Sequence, residues 1–237
     1  MILLFGASSG IGLALAQILR RQGQELTLLA RDEARLATVA ESLNCPYKVC
    51  DARDFAQVEA VFAEAEGLSG AVNCAGSILL KPAHLTSEKD YSECLDQNLK
   101  TAFAVVRAAG RSMKEGSVVL FSSAAASIGL PNHEAISAAK GAIEGLSRSA
   151  AATYAARGLR FNVIAPGLVD TPLAARFTSR PGARQTSEAQ HPLGRLGQAE
   201  EVASLAAWLL SGEGSWATGQ VFGLDGGLSR VKAAPRP

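Results

Sequence analysis

The stretch FGASSGIG, residues 5–12, joins a short apolar run to a helical pattern, and its glycines decide how the rest of the chain is read. Gly6, Gly10 and Gly12 stand where a tight turn lets backbone amides approach a pyrophosphate, and the positive end of the following helix favours the anion. Glycine serves such turns for steric reasons too, so the loop takes its meaning from its surroundings. Working outward, apolar runs alternate with longer helical patterns: ELTLLA with DEARLATVAESL, YKVC with FAQVEAVFAEAEG, GAVNCAG with a polar helix through Leu99. SVVLFSS, an alanine-rich helix, LRFNVIAP, EEVASLAAWLLSG and GQVFGLDGG continue the series. Strands without polar alternation are buried on both faces, and helices long enough for crossovers imply a parallel sheet. The pattern predicts one doubly wound α/β domain of about seven strands with helices on both faces. It spans residues 1–229, with a candidate lid near 171–192, where prolines, glycine and scattered charge interrupt the series, and a loose tail over 230–237.

Composition narrows the function. With 237 residues, 48% of them hydrophobic, the chain can build one sizeable core. A net charge of +1 without a basic run argues against nucleic acid or an anionic membrane as partner and leaves a small metabolite. No apolar run is long enough for a signal peptide or a membrane span, which gives a cytoplasmic expectation. Cys45, Cys50, Cys74 and Cys94 form no CxxC pair, and His84, His133 and His191 are scattered. Reduced packing cysteines and no metal site are expected.

The loop spacing is G-x-x-x-G-x-G rather than G-x-G-x-x-G. Together with NCAG after the fourth strand, a serine pair followed by a helix lysine, and PGLVDTP after the sixth strand, it makes the chain resemble the short-chain dehydrogenase/reductase family. HPLGRLGQAEEVASLAAWLLS and TGQVFGLDGG resemble the family's last helix and strand, notably in its ketoacyl-carrier-protein reductase-like members. The resemblance covers nearly the whole chain. It implies a Rossmann-type fold with a nicotinamide dinucleotide across the C-terminal ends of the strands, cradled by the loop with Ser8, Ser9 and Ile11 beside its glycines. Asp51 matches the acid that holds the adenine, its alternative being a helix cap. Asn73, Ala75 and Gly76 would lie beside the adenine ribose, with Cys74 where the family has a second asparagine. Pro166, Gly167 and Val169 match the loop beside the nicotinamide, and Thr171 the residue that anchors its carboxamide. At the end of the second strand, where an acid would accept from a free ribose, the chain has Ala30 and Arg31. Arginine pairs with a 2′-phosphate through two donors, so NADP(H) is expected over NAD(H). Asp32 most simply caps the next helix.

In the family a serine polarises the substrate oxygen and a Tyr-x-x-x-Lys pair transfers the proton. Here the serine matches Ser123, with Ser122 its neighbour, and the lysine matches Lys140; four residues before Lys140 stands Ile136. Asn98, in DQNLKT, matches the asparagine that supports a water near the lysine, a local helix kink being its alternative reading. Tyr47 and Tyr91 lie in other elements, and Tyr154 is about 20 Å along the helix from Lys140. In NHEAISAAK, positions 133, 136, 137 and 140 share a helix face, which offers His133 as the proton donor; a neutral hydroxyl makes Ser137 a poor one. Otherwise His133 only begins the helix.

The alanines and glycines of SAAKGAIEGLSRSAAATYAARG allow two helices to approach closely, which suits the family's intersubunit helix bundle and predicts a homo-oligomer, a tetramer or a dimer. Tight packing within one subunit is the other reading. Two functions follow: a divergent NADP(H)-dependent oxidoreductase acting on a small carbonyl or alcohol, or a non-catalytic dinucleotide-binding regulatory protein.

Overall fold

The computed structural model describes residues 1–232; of the expected tail, 233–237 lie outside the described residues. The strands are β1 (Ile2–Phe5), β2 (Leu26–Ala30), β3 (Tyr47–Val49), β4 (Gly70–Asn73), β5 (Gly116–Phe121), β6 (Leu159–Pro166), β7 (Val169–Asp170), β8 (Gly197–Gln198) and β9 (Val221–Leu224). Seven form one sheet in the order β3-β2-β1-β4-β5-β6-β9, with every pairing parallel. The doubly wound prediction holds. Within β1, Ile2 and Leu4 enter one core and Leu3 and Phe5 the other, which is why the run carries no polar alternation. One face is covered by α1 (Gly10–Arg21), α2 (Glu33–Leu43) and α9 (Ala199–Leu210). The opposite face is covered by α3 (Phe55–Ala63), α5 (Thr101–Ser112) and α6 (Glu134–Tyr154).

Register decides where the loops emerge. Phe5 pairs with both Leu29 and Asn73, and Asn73 pairs with Leu120, so β1, β2, β4 and β5 end nearly level. The glycine loop, Arg31, Cys74–Gly76 and the serine pair therefore open on one edge of the sheet. That edge includes the point between β1 and β4 where the strand order reverses, the place where open α/β sheets bind ligands.

Two segments differ from the sequence expectation. The polar helix does not end at Leu99: α4 (Glu88–Leu95) runs into a π-helical segment, Asp96–Lys100, and continues as α5. Asn98 lies in that wide turn, which is the local kink of its alternative reading. The 171–192 segment is mostly helical, forming α7 (Pro172–Thr178) and α8 (Ala183–Gln190). Thr171 caps α7 by accepting from the Ala174 amide, and Pro172 takes the first helical position, where its missing N–H costs nothing. β7 and β8 pair in a short parallel ribbon that brackets this helical pair.

Candidate active site

Two cavities meet at the C-terminal edge of the sheet. The first, of about 580 Å³, runs from the glycine loop past Arg31 to Asp51 and Arg53. The second, of about 540 Å³, lies over Ser123, Ile136 and Lys140. Ile11, Cys74, Ala75, Gly76, Thr171 and Leu173 belong to both walls, so the two spaces adjoin.

The glycine loop is shaped by close approach. Gly6 has φ +78°, and a Cβ on Gly12 would lie 2.2 Å from the Gly6 carbonyl oxygen, so position 12 admits no side chain. No acidic residue occupies the first turn of α1, and Ser9, its N-cap, makes no side-chain capping bond. The positive end of the helix thus opens on the first cavity without a counter-charge, which fits a pyrophosphate. Gly6, Ser8, Ser9, Gly10, Ile11 and Gly12 all line this wall.

The far end of the first cavity gathers three arginines. Asp32 caps α2 by accepting from the Arg35 amide and pairs with its guanidinium at 3.2 Å. Asp51 caps no helix; Asp54 caps α3, accepting from the amides of Ala56 and Gln57. The Asp51 carboxylate is gripped instead by Arg53, at 2.6 Å from Nη2 and 3.0 Å from Nε, and this hydrogen bonding holds its pKa below the usual range. Arg31 lines the same wall and, among the described residues, forms no ion pair with a carboxylate, although its charge helps to lower the Asp51 pKa. Sequence reading missed Arg35 and Arg53, although each follows an acid by two or three positions, where such a fork reaches its partner.

In the second cavity the serine pair divides its work. The Ser122 hydroxyl is turned back onto α6, 2.8 Å from Glu144 Oε1 and 3.1 Å from the Lys140 carbonyl, and ties that helix to the end of β5. Ser123 lines the cavity; its Oγ accepts from the Ala125 amide at 3.2 Å, which leaves the hydroxyl proton for a ligand. The Lys140 ammonium donates to the Phe121 carbonyl at 3.0 Å. Burial pushes its pKa down to about 8, although part of the residue faces the cavity. Ile136 lines the cavity one turn before Lys140, only 4% exposed and packed with Cys94, Ala135 and Ala139. Among the described residues no tyrosine lines this cavity: Tyr154 packs on Phe161 and over Gly110, while Tyr47 and Tyr91 stand on the surface.

His133 is the N-cap of α6, and its side chain does reach the cavity wall. Its Nδ1 lies 2.7 Å from the Pro131 carbonyl and so carries a proton; Nε2 donates only when the ring is the imidazolium. The Ser137 hydroxyl donates to the Ala125 carbonyl, a tie between α6 and the loop after β5. Pro166, Gly167, Val169 and Thr171 line the same cavity.

Asn73 and Asn98 lie behind the walls. Asn73 donates to Thr101 Oγ1 and accepts from the Ala75 amide, which holds the turn after β4. The Asn98 amide donates to Ser77 Oγ and the Cys94 carbonyl, and its oxygen accepts from the Ser77 amide. A Cβ on Gly76 would lie 3.0 Å from Asn98 Oδ1 and 3.5 Å from Lys140 Nζ, so Gly76 marks where the asparagine and lysine converge. His191 is a further residue missed from sequence. It is 2% exposed, accepts from the Leu168 amide through Nε2 at 3.1 Å, and lies with Nδ1 2.7 Å from the Ser187 carbonyl. It thereby joins α8 to the loop after β6.

A family model described as enoyl-(acyl carrier protein) reductase matches residues 6–229. The chain is 32% identical to 2-(S)-hydroxypropyl-CoM dehydrogenase 3 of Xanthobacter autotrophicus, over 98% of this chain and 97% of that protein. It is 34% identical to galactitol 2-dehydrogenase (L-tagatose-forming) of Cereibacter sphaeroides, over 94% and 92%. A solved short-chain type dehydrogenase/reductase from Mycobacterium ulcerans superposes with a TM-score of 0.92 at 30% identity, over 98% of this chain and 90% of that one. No helix among the described residues is long and apolar enough to cross a membrane.

Proposed function

The chain belongs to the short-chain dehydrogenase/reductase family, whose members are oxidoreductases that bind a nicotinamide dinucleotide, and from that premise we propose that it is a divergent NADP(H)-dependent oxidoreductase of a small carbonyl or alcohol. The observation that carries the reading is the shared wall between the two cavities, which brings the glycine loop's anion site beside Ser123 and Lys140. When bound, the cofactor supplies a hydride to the carbonyl carbon, and a proton completes the alcohol. Ser123 donates its free hydroxyl proton as a hydrogen bond to the substrate oxygen and so polarises the carbonyl. Lys140 and Asn98, converging on Gly76, hold the cofactor's ribose and the proton path. With Ile136 at the family's tyrosine position, His133 as imidazolium is the proton donor. Measuring NADPH oxidation over a panel of carbonyl compounds, beside nucleotide binding, tests the reading; tight nucleotide binding without turnover on any of them would overturn it.

That outcome belongs to the second reading, a non-catalytic dinucleotide-binding regulatory protein. The apolar cluster around Ile136 favours it, because a phenol's place is filled by packing. Against it stands the cost of Lys140: desolvating an ammonium at a cavity wall is unfavourable, and a purely structural position has no use for the charge.

Arg31 supports NADP(H). Of the three arginines at the end of the first cavity, Arg35 and Arg53 are held by Asp32 and Asp51, which leaves Arg31 for a 2′-phosphate. NADPH should raise the melting temperature more than NADH at equal concentration, with about tenfold or greater preference in Kd. Arg31→Ala should remove most of that difference. An equal or larger shift with NADH would reject the assignment.

The same proposal includes a symmetric homo-oligomer, most simply a tetramer. Cβ atoms on Gly141 and Gly145 of α6 would meet nothing within 4 Å, so these small residues serve no packing inside the subunit. Trp216 is 99% exposed near the edge strand β9, a second apolar surface suited to a two-fold contact. Light scattering should report a tetramer or dimer; a monomer at micromolar concentration would refute the assembly.

A further inference from the structure

We infer that the second cavity takes an uncharged, largely apolar ketone, or the matching secondary alcohol, gripped along its hydrocarbon part between the loop after β5 and α7. This rests on the oxidoreductase reading and adds the substrate class. The walls are hydrocarbon where a substrate would extend from Ser123: Leu80, Leu130 and Ile136 face the space together with Leu173, Phe177 and Leu228. Among the described residues the ionisable side chains on the wall are Cys74, His133, Lys140 and His191, and the Lys140 ammonium donates to the Phe121 carbonyl. Among the described residues no arginine or carboxylate lines the cavity. Beyond Lys140 and His133 at the inner end the hydrocarbon walls offer no counter-charge, so a carboxylate carried on the far part of a substrate would be stripped of water there.

Most polar side chains of the outer wall are also spent on the protein itself, Gln190 being the exception among the described residues. Thr186 and Ser187 donate to the carbonyls of Gly182 and Ala183 within α8. Thr171 donates to the Val169 carbonyl and accepts from Ala174, and both nitrogens of His191 are occupied. A polyhydroxylated substrate would therefore lose hydrogen bonds to water and find few in exchange, since each unmade bond of a buried hydroxyl is unfavourable. Ser123, with its unused hydroxyl proton, and His133 remain at the inner end, enough to orient one carbonyl oxygen. A pocket of hydrocarbon walls with one polar focus selects by chain length and shape.

The test uses 2-alkanols of increasing length with saturating NADPH, a pairing that cannot react, so binding is read without turnover. Thermal shift or quenching of the nicotinamide fluorescence should show affinity rising about three- to fourfold per added methylene until the space is filled. An ω-carboxylated alkanol of equal length should bind at least about tenfold more weakly. Leu173→Arg, at a position 38% exposed and so tolerant of the change, should flatten the length series and admit the carboxylate. Affinity independent of chain length, or tighter binding of the carboxylate by the unaltered protein, would overturn the inference. The matching 2-alkanones, assayed for NADPH oxidation, test the catalytic reading separately: a steep binding series without turnover upholds the substrate class and sinks the oxidoreductase.

Discussion

Ile136→Tyr should raise carbonyl reduction by at least tenfold, equivalent to about 1.4 kcal/mol of transition-state stabilisation. General acid catalysis contributes about 10²–10⁴-fold, and this chain carries the surroundings of such an acid without a phenol in them. Ser123 keeps a free proton, Lys140 lies one turn beyond position 136, and Asn98 sits behind Gly76. The larger ring has somewhere to go, because Ile136 borders a cavity of about 540 Å³. His133→Ala is the companion variant. If the imidazolium donates the proton, this change should abolish the unaltered protein's activity. Activity indifferent to His133→Ala would reject the histidine route. A silent protein woken by Ile136→Tyr would favour the nucleotide-binding regulator. Should neither change act while NADPH still binds, the proton does not travel through this helix face.

Lys140→Met should lower activity by about 10²-fold or more while making the nucleotide-free protein more stable. The ammonium's pKa falls from 10.5 to about 8 because burial disfavours its charged form. In a sealed interior that shift would cost about 3 kcal/mol; with part of the residue open to the cavity, about 1–2 kcal/mol is expected. The sign follows from linkage. Between about pH 8 and 10.5 the unfolded chain binds this proton and the folded one does not, so stability should rise with pH across that window. Below about pH 8 both states are protonated and the full cost remains. Lys140→Met should lift the stability at neutral pH and flatten the rise above pH 8, read by denaturant unfolding at pH 7 and 10. A variant that loses activity and stability together would show that Lys140 contributes to packing rather than enduring a strain kept for function.

How far the sequence could be read is clearest at particular residues. Asp32 as a helix cap was legible because capping depends on the chain within three positions of itself. Thr171 and Pro172 carried the same kind of signal for α7, but scattered charge across 171–192 obscured it, since such short helices lack enough turns to show a period. The helix through Leu99 continues past the wide turn at Asp96–Lys100 into α5, with Cys94, Asn98, Thr101 and Val105 buried at steps of three and four residues.

By itself the sequence determined the alternation of apolar strands and crossover helices, the glycine loop between the first strand and the first helix, and the spacing of Ser123, Ile136 and Lys140. These rest on local periodicity and backbone sterics, which neighbours along the chain control. Tertiary structure decided the rest. It turned Ser122 inward and left Ser123 on the cavity, gave Asp51 to Arg53 while leaving Arg31 unclamped, and placed His191 between α8 and the loop after β6. It also set Lys140 at an apolar wall that lowers its pKa. Hydrogen-bond partners and desolvation depend on what packs from distant segments, and that is fixed only when the parallel register brings the strand ends level.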